Sequence, residues 1–189
     1  MPEFVAELAG KVALEFVSDG CGNLQKTFGP EDIFHYTYAV FHCPTYRSRY
    51  AEFLKIDFPR LPLTSDARLF GRLCGLGAEL VGLHLLEAVP PPGVNFPARG
   101  GNTVEKVRYV DTQRRVYIND EQYFQPVAAE VWGFHVGGYQ VCSKWLKDRK
   151  GRKLSYDDIT HYRKVATALG ETIRLMGEID AAIVSWPIE

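Results

Sequence analysis

The most informative stretch of the sequence is residues 155–184, SYDDITHYRKVATALGETIRLMGEIDAAIV. Ser155 followed by Asp158 resembles a capping box, an arrangement that satisfies free N–H groups at the start of a helix. Apolar residues then recur at alternating steps of three and four, at Ile159, Tyr162, Ala166, Leu169, Ile173 and Met176. Because this spacing puts them on one helix face, we predict a helix from Tyr156 to Val184, ended by Trp186-Pro187.

Two further helices are predicted upstream. Between Asp66 and Glu87, leucines step by four and three residues and predict one buried stripe, at Leu69, Leu73, Leu76, Leu80 and Leu83. The string Gly29-Pro30-Glu31-Asp32 is typical of a helix start and predicts a helix from Pro30 to His42. A shorter helix around Tyr46–Leu54 and an extended, proline-containing strap at Asp57–Leu63 are expected to follow.

The segment from Pro90 to Gly101 is rich in proline and glycine, which predicts a linker or a long loop. Beyond it, β-branched runs at Thr103–Tyr109 and Arg115–Ile118 predict an antiparallel hairpin. We predict three more short elements, a helical turn at Val127–Trp132, a strand at Phe134–Val136 and a helix at Tyr139–Lys147. The pattern indicates an α+β fold, in which a helical scaffold with a long C-terminal helix supports a small β-containing lobe.

Length and composition are those of a folded globular chain, with 189 residues, 46% hydrophobic and 24% charged. We expect a single domain over residues 1–189. It subdivides into a helical half at 1–88, a loop at 89–103, and the hairpin with the C-terminal helices at 104–189.

Charge and targeting signals exclude several classes of protein. The 22 basic and 23 acidic residues give a net charge of -1, so no global field attracts nucleic acid or lipid. Neither a signal peptide nor a membrane-length apolar run is present, and we expect a cytoplasmic protein without a membrane partner. The four cysteines, Cys21, Cys43, Cys74 and Cys142, form no C-x-x-C pair. We predict buried thiols and no metal site.

No catalytic motif is found in the sequence. The hydrolase patterns G-x-S-x-G and S-x-x-K, the zinc motif H-E-x-x-H and the Walker loop are all missing. We therefore predict no catalytic residue in this chain.

The most asymmetric local feature is KWLKDRKGRK at Lys144–Lys153, with six positive residues and one negative. One interpretation is that these charges balance a helix dipole and then continue into a solvated loop. The other is that they hold nucleic-acid phosphates. Both stay open, and the phosphate candidates are Lys144, Lys147, Arg149, Lys150, Arg152 and Lys153.

Candidates for reading base edges lie at two places. Tyr139 and Gln140 follow Gly137-Gly138, where the backbone could approach a base closely, and an amide can bond an adenine edge. The hairpin region adds polar residues suited to the major groove, Arg108, Arg114, Arg115, Asn119 and Gln122. Solvated strand faces carry the same residue types, so this interpretation also stays open.

Longer strings of the sequence resemble one known family. In the first half these are FHYTYAVFHCPTYR at 34–47, YAEFLK at 50–55 and FPRLPL at 58–63, and in the second half GGYQV at 137–141, KWLKDRKGR at 144–152 and LSYDDI at 154–159. They resemble the C-terminal specificity domain of Type ISP restriction-modification enzymes, single chains that join nuclease, ATPase, adenine methyltransferase and target recognition. A looser similarity extends to the recognition domains of combined restriction-methylation enzymes.

The resemblance implies sequence-specific binding of double-stranded DNA without catalysis by this chain. No N-P-P-Y methyltransferase motif is present, so S-adenosylmethionine, ATP and Mg²⁺ are expected only in the parent enzyme. A methyltransferase domain of the same or a neighbouring chain is the expected protein partner. Two alternatives are a docking domain that uses the leucine stripe and the long helix, and a small stand-alone enzyme.

Overall fold

The computed structural model describes residues 3–188. Contacts divide the described chain into two units. The first unit combines residues 3–82 with 174–188, and the second is Leu83–Ile173. A helix with the length and apolar character of a membrane span is absent from residues 3–188.

The first unit is mostly helical. Its elements are α1 (Glu3–Val12), β1 (Glu15–Phe16), β2 (Thr27–Phe28), α2 (Pro30–His42), α3 (Pro44–Arg49), α4 (Phe53–Ile56) and α5 (Ala67–His84), whose last two residues belong to the second unit. β1 and β2 pair in parallel. The core is aromatic, because the ring of Phe70 lies 5.1 Å from that of Tyr36 and 5.7 Å from that of Phe28.

Close packing of α2 and α5 explains one glycine within the leucine stripe. A Cβ atom at Gly77 would lie 1.9 Å from the carbonyl oxygen of His35, so only glycine allows this approach. Four of the five stripe leucines, Leu73, Leu76, Leu80 and Leu83, are buried. The stripe is therefore covered within the chain and is not the free docking surface that the docking-domain alternative required.

The second unit holds the sheet and the start of the long helix. Its elements are β3 (Arg108–Val110), a 3₁₀ turn (Asp111–Gln113), β4 (Arg115–Tyr117), β5 (Tyr123–Phe124), α6 (Ala129–Trp132), β6 (His135–Val136), β7 (Tyr139–Gln140), α7 (Val141–Lys147) and α8 (Tyr156–Ala182). The sheet order is β3-β4-β5, all antiparallel, and β6 pairs antiparallel with β7. The ring of Phe124 packs 4.3 Å from that of Tyr162 at the centre of the core.

The start of α8 has the predicted capping box. The Ser155 N–H donates to the Asp158 carboxylate over 3.0 Å, and the Asp158 N–H donates to the Ser155 hydroxyl over 3.0 Å. The pKa of Asp158 lies below its ordinary value because the Ser155 N–H donates to the carboxylate, with the Ser155 hydroxyl and Arg149 adding to the effect. This local exchange of bonds fixes where the longest helix begins.

The α+β class and the three main helices are confirmed, and several short elements differ from prediction. Tyr139–Gln140 is a strand instead of a helix start, because it pairs with β6. The helix around Tyr46–Leu54 is two separate short helices, α3 and α4. Cys21 is exposed, whereas the other three cysteines are buried as predicted. The predicted divisions near residues 88 and 104 stay a prediction.

Candidate nucleic-acid interface

The basic segment runs from the end of α7 through a turn that is hydrogen-bonded to a neighbouring strand-like segment. The Gly151 N–H donates to the Val104 carbonyl over 2.7 Å, and the Val104 N–H donates to the Arg152 carbonyl over 2.9 Å. Gly151 has a φ of +80°, a conformation that side chains rarely adopt. These hydrogen bonds therefore fix the backbone conformation of the segment that carries the cations. We call residues 147–153 the basic turn.

Arg149 is used inside the protein. Its guanidinium lies 3.5 Å from the ring centroid of Trp145 and donates to the Trp145 carbonyl over 3.0 Å. It also contacts the Asp158 carboxylate at 3.4 Å, and its side chain is only 23% exposed. These contacts join α7 to the start of α8 and use much of the guanidinium inside the protein. The phosphate role of Arg149 stays a prediction.

Lys144 also has an internal partner. Its ammonium lies 2.6 Å from the Asp148 carboxylate, one helical turn later, and 5.5 Å from the ring of Tyr139. Half of this side chain remains exposed. An exposed ion pair of this kind contributes little stability, but it lowers the positive charge that Lys144 can offer to a phosphate.

The remaining cations of the basic turn stay available. Within residues 3–188 no ion pair involves Lys147, Lys150, Arg152 or Lys153. All four of these side chains are exposed. These residues make the basic turn a local positive patch in a chain that has almost no net charge.

One face of the β3-β4-β5 sheet is covered by arginine and tyrosine. The guanidinium of Arg108 lies 4.3 Å from the ring centroid of Tyr117, and that of Arg115 lies 4.2 Å from the ring of Tyr123. Val116, between Arg115 and Tyr117 in the strand, is buried on the opposite face. We call these two arginines and two tyrosines the Arg–Tyr face. Cation–π contacts of this kind orient the arginines on the sheet.

The three arginines of the hairpin differ in exposure and in how many of their hydrogen-bond donors remain available. Arg115 donates to the Gln125 side chain over 2.8 Å and lies 3.4 Å from the Tyr117 hydroxyl, so its donors are partly used. Arg108 is exposed. Arg114 is exposed at the hairpin turn, in the left-handed region with a φ of +51°. Arg108 and Arg114 are therefore the hairpin arginines best placed to meet a ligand.

Asn119 and Gln122 form a network within the protein. Gln122 is fully buried, and its side-chain oxygen accepts from the Asn102 N–H over 2.6 Å and from the Asn119 amide over 3.1 Å. The Gln122 amide donates to the Ala98 carbonyl over 3.2 Å. The Asn119 side chain also accepts from the Gln122 N–H over 2.7 Å and donates to the Thr103 carbonyl over 3.1 Å. These bonds occupy the polar atoms of both side chains inside the protein, and the base-reading role of the two residues stays a prediction.

Tyr139 and Gln140 have different surroundings. Tyr139 is 63% exposed. Gln140 is half-buried, and its amide donates to the Trp132 carbonyl over 2.6 Å. This bond uses one of the two amide N–H groups of Gln140 and orients its side chain on the protein. Tyr139 is the better candidate of the two.

An apolar groove in the first unit was not predicted. It has a volume of about 550 Å³ and is lined by the strap and the helices before it, including Tyr46, Tyr50, Leu54, Pro59 and Leu61. Phe53, Ile56 and Phe58 are between 67% and 90% exposed beside it. The sequence signal was present, because four apolar residues in the string FLKIDF stand next to two prolines that prevent a regular helix.

Comparison with known proteins identifies the family. The sequence matches the Type ISP C-terminal specificity domain over residues 1–178. The chain belongs to this family. The predicted resemblance is thereby confirmed, and the chain is a specificity domain and not a catalytic one. No significant relative is found among curated proteins.

Several solved structures are similar to this specificity domain. A cryo-EM structure of a DrdV–DNA complex matches with a TM-score of 0.61 and 25% identity, over 78% of this chain and 18% of that one. A nuclease-deletion mutant of the Type ISP enzyme LlaGI with a DNA substrate mimic has a TM-score of 0.60 and 21% identity, over 82% and 14%. The ATP-dependent Type ISP enzyme LlaBIII bound to DNA has a TM-score of 0.59 and 16% identity, over 84% and 11%. This specificity domain therefore spans less than a fifth of each of these chains.

Proposed function

We propose that this specificity domain binds double-stranded DNA and selects a target sequence for a restriction-modification enzyme. The observation that carries the proposal is the basic turn, a group of exposed cations on backbone that is hydrogen-bonded beside the sheet. The DrdV structure is a DNA complex, and that match reaches 25% identity. A positive turn and exposed arginines in the same unit are groups that can hold phosphates and read a groove.

The two kinds of contact fall on different residues in this proposal. Phosphate oxygens are bound by four exposed cations, Lys147, Lys150, Arg152 and Lys153, which supply affinity without sequence preference. Arg108, Arg114 and Tyr139 meet base edges, because arginine bonds guanine in the major groove through two donors. Arg115 supports this surface by keeping the tyrosines of the Arg–Tyr face in place.

Selection from a random duplex pool tests the proposal and is followed by one variant. Arg114→Ala is expected to cost about 1 to 3 kcal/mol on the selected duplex, roughly 5- to 150-fold in Kd, and nearly nothing on an unrelated duplex. Anisotropy titrations on both duplexes measure the difference. Arg68→Ala, which removes an exposed arginine from α5, is the matched control. Failure to enrich any sequence, or equal losses on both duplexes, contradicts base reading by Arg114.

Catalysis belongs to other parts of the parent enzyme in this proposal. The residues of this chain bind and choose the duplex, and they hold no reacting group. S-adenosylmethionine, ATP and Mg²⁺ bind elsewhere in the enzyme, and a methyltransferase domain of the same or a neighbouring chain acts on the chosen site. The small share of the LlaGI and LlaBIII chains that the specificity domain covers leaves room for such domains.

The apolar groove supports a second proposed role, contact with that methyltransferase domain. Phe58 is 90% exposed and Phe53 is 67% exposed, which is unusual for large aromatic side chains. Phe53→Ser with Phe58→Ser is expected to reduce co-purification with the separately produced methyltransferase domain at least 10-fold, with an unchanged melting temperature. Val184→Ser, at a side chain that is 95% exposed, is the control. Undiminished co-purification of the double variant excludes the groove as the contact.

A further inference from the structure

A cluster of three potential metal ligands lies in the first unit, away from the basic turn in the sequence. Cys21, Asp32 and His35 each offer one ligand atom, and these three atoms lie within 4.8 Å of one another. Asp32 and His35 are three residues apart on α2, so they share one side of the helix. Cys21 comes from the loop between β1 and β2.

The loop that carries Cys21 is fixed to the start of α2. The Glu31 N–H donates to the Gly20 carbonyl over 3.2 Å, and the Gly22 N–H donates to the Asp32 carboxylate over 2.6 Å. A Cβ atom at Gly29 would lie 2.1 Å from the Gly20 carbonyl oxygen, so the two ends of the loop are in direct contact. These contacts hold Cys21 beside the carboxylate and the imidazole before any ligand arrives.

Asp32 keeps one oxygen for a ligand. The residue is 3% exposed, and the N–H groups of Gly22 and Gly29 both donate to its Oδ2, over 2.6 Å and 2.8 Å. Within residues 3–188 no hydrogen bond to its Oδ1 is found. The backbone bonds orient the carboxylate in the way that outer partners orient metal ligands in known sites.

The charge around Cys21 favours a cation. The Glu31 carboxylate lies 3.3 Å from the Cys21 sulfur and could supply a fourth ligand. A divalent cation bound here would be held by the Cys21 thiolate, because a coordinating thiol is deprotonated outright.

We propose that Cys21, Asp32 and His35 form a zinc site, with Glu31 or a water molecule as fourth ligand. Sulfur, imidazole nitrogen and carboxylate oxygen together are a donor set that suits Zn²⁺, a borderline-soft ion. Ligand atoms of a tetrahedral zinc lie roughly 3 to 4 Å apart, so the cluster must contract slightly. Cys21 is exposed and His35 is half-buried, and both side chains can rotate to do so. Binding replaces the S–H bond by an S–Zn bond and releases the thiol proton to solvent.

The zinc site has a structural role in this proposal. The ion would join the loop to the first turns of α2, which the backbone bonds already bring together. Its ligands are three different residue types and include a carboxylate, so they match no C-x-x-C or H-x-H spacing. This explains why the sequence predicted no metal site.

Metal titration of the full chain, reduced and freed of metal by a chelator, tests the proposal. We expect one Zn²⁺ per chain by calorimetry, and a Co²⁺ complex whose spectrum shows a thiolate charge-transfer band. Zn²⁺ at about 100 times its Kd should raise the melting temperature by roughly 5 to 10 °C. Cys21→Ser should abolish the charge-transfer band, and both Cys21→Ser and His35→Ala should weaken Zn²⁺ binding about 100-fold or more.

The controls separate this site from adventitious binding. His135→Ala removes an exposed histidine of the second unit and should leave Zn²⁺ binding unchanged. Cys21 is exposed, so Cys21→Ser should have the wild-type melting temperature without metal. The proposal is wrong if the Co²⁺ complex lacks the thiolate band, or if Cys21→Ser and His35→Ala both bind Zn²⁺ as the wild type does. Duplex binding is measured separately, so failure here leaves the proposed DNA recognition unaffected.

Discussion

Replacing Lys147, Arg152 and Lys153 together by alanine is expected to weaken binding to every duplex by about 100-fold or more near 0.1 M salt. Each phosphate that a cation neutralises releases counterions and contributes about -0.9 to the slope of log K against log salt concentration. Loss of three contacts should therefore flatten the slope by roughly 2 to 3 units. Because these contacts carry no sequence information, the selected and unrelated duplexes should be affected alike.

A matched control for the triple variant removes three cations elsewhere in the chain. Lys11, Arg68 and Arg72 are exposed cations of the first unit, and their replacement by alanine removes the same net charge. Arg149 is left intact, because its loss would also remove the packing on Trp145. If the basic-turn variant keeps the wild-type salt slope, the basic turn is a solvated loop that balances the dipole of α7. The phosphate contacts would then have to be sought on the hairpin.

Gln122→Ala is expected to lower the free energy of unfolding by about 2 to 4 kcal/mol. The side chain is fully buried, and its removal leaves the Asn102 N–H and the Asn119 amide without their acceptor. Each buried polar group that loses its partner costs about 1 to 3 kcal/mol. Urea denaturation followed by circular dichroism measures the change.

The neighbouring residue provides the comparison for Gln122. Glu121 is exposed, and Glu121→Ala should change the free energy of unfolding by no more than about 0.5 kcal/mol. A Gln122→Ala variant with wild-type stability that loses affinity only for the selected duplex would support the base-reading role. Loss of stability with retained duplex selectivity supports the structural role.

Elements with local signals were predicted well. Proline at the first position of α2 and the capping box at Ser155 act within a few residues, so the sequence shows both directly. Strands of two residues depend on partners elsewhere. Tyr123–Phe124 becomes β5 only by pairing with β4, and Tyr139–Gln140 becomes β7 only by pairing with β6. No periodicity develops over two residues, and these strands were missed.

The candidate site was predicted at the level of segments more than of individual residues. The basic segment is exposed, but its composition does not reveal that Arg149 lies on Trp145 and contacts Asp158. The pairing of Lys144 with Asp148 was readable, since the two are four residues apart on a helix. Burial of Gln122 was not readable, because a polar residue near a turn is exposed in most proteins.

The hydrogen bonds that fix the basic turn have a consequence for the kinetics of association. The Val104 N–H donates to the Arg152 carbonyl, and the Leu154 N–H donates to the Asn102 carbonyl. Because these bonds fix the backbone, only side chains lose conformational freedom when a duplex binds. Each immobilised long side chain costs roughly 0.5 to 1.5 kcal/mol, and no folding step precedes contact. In the proposed mode of binding, diffusion and the attraction between the basic turn and the phosphates govern the encounter, so the on-rate is expected to depend on salt.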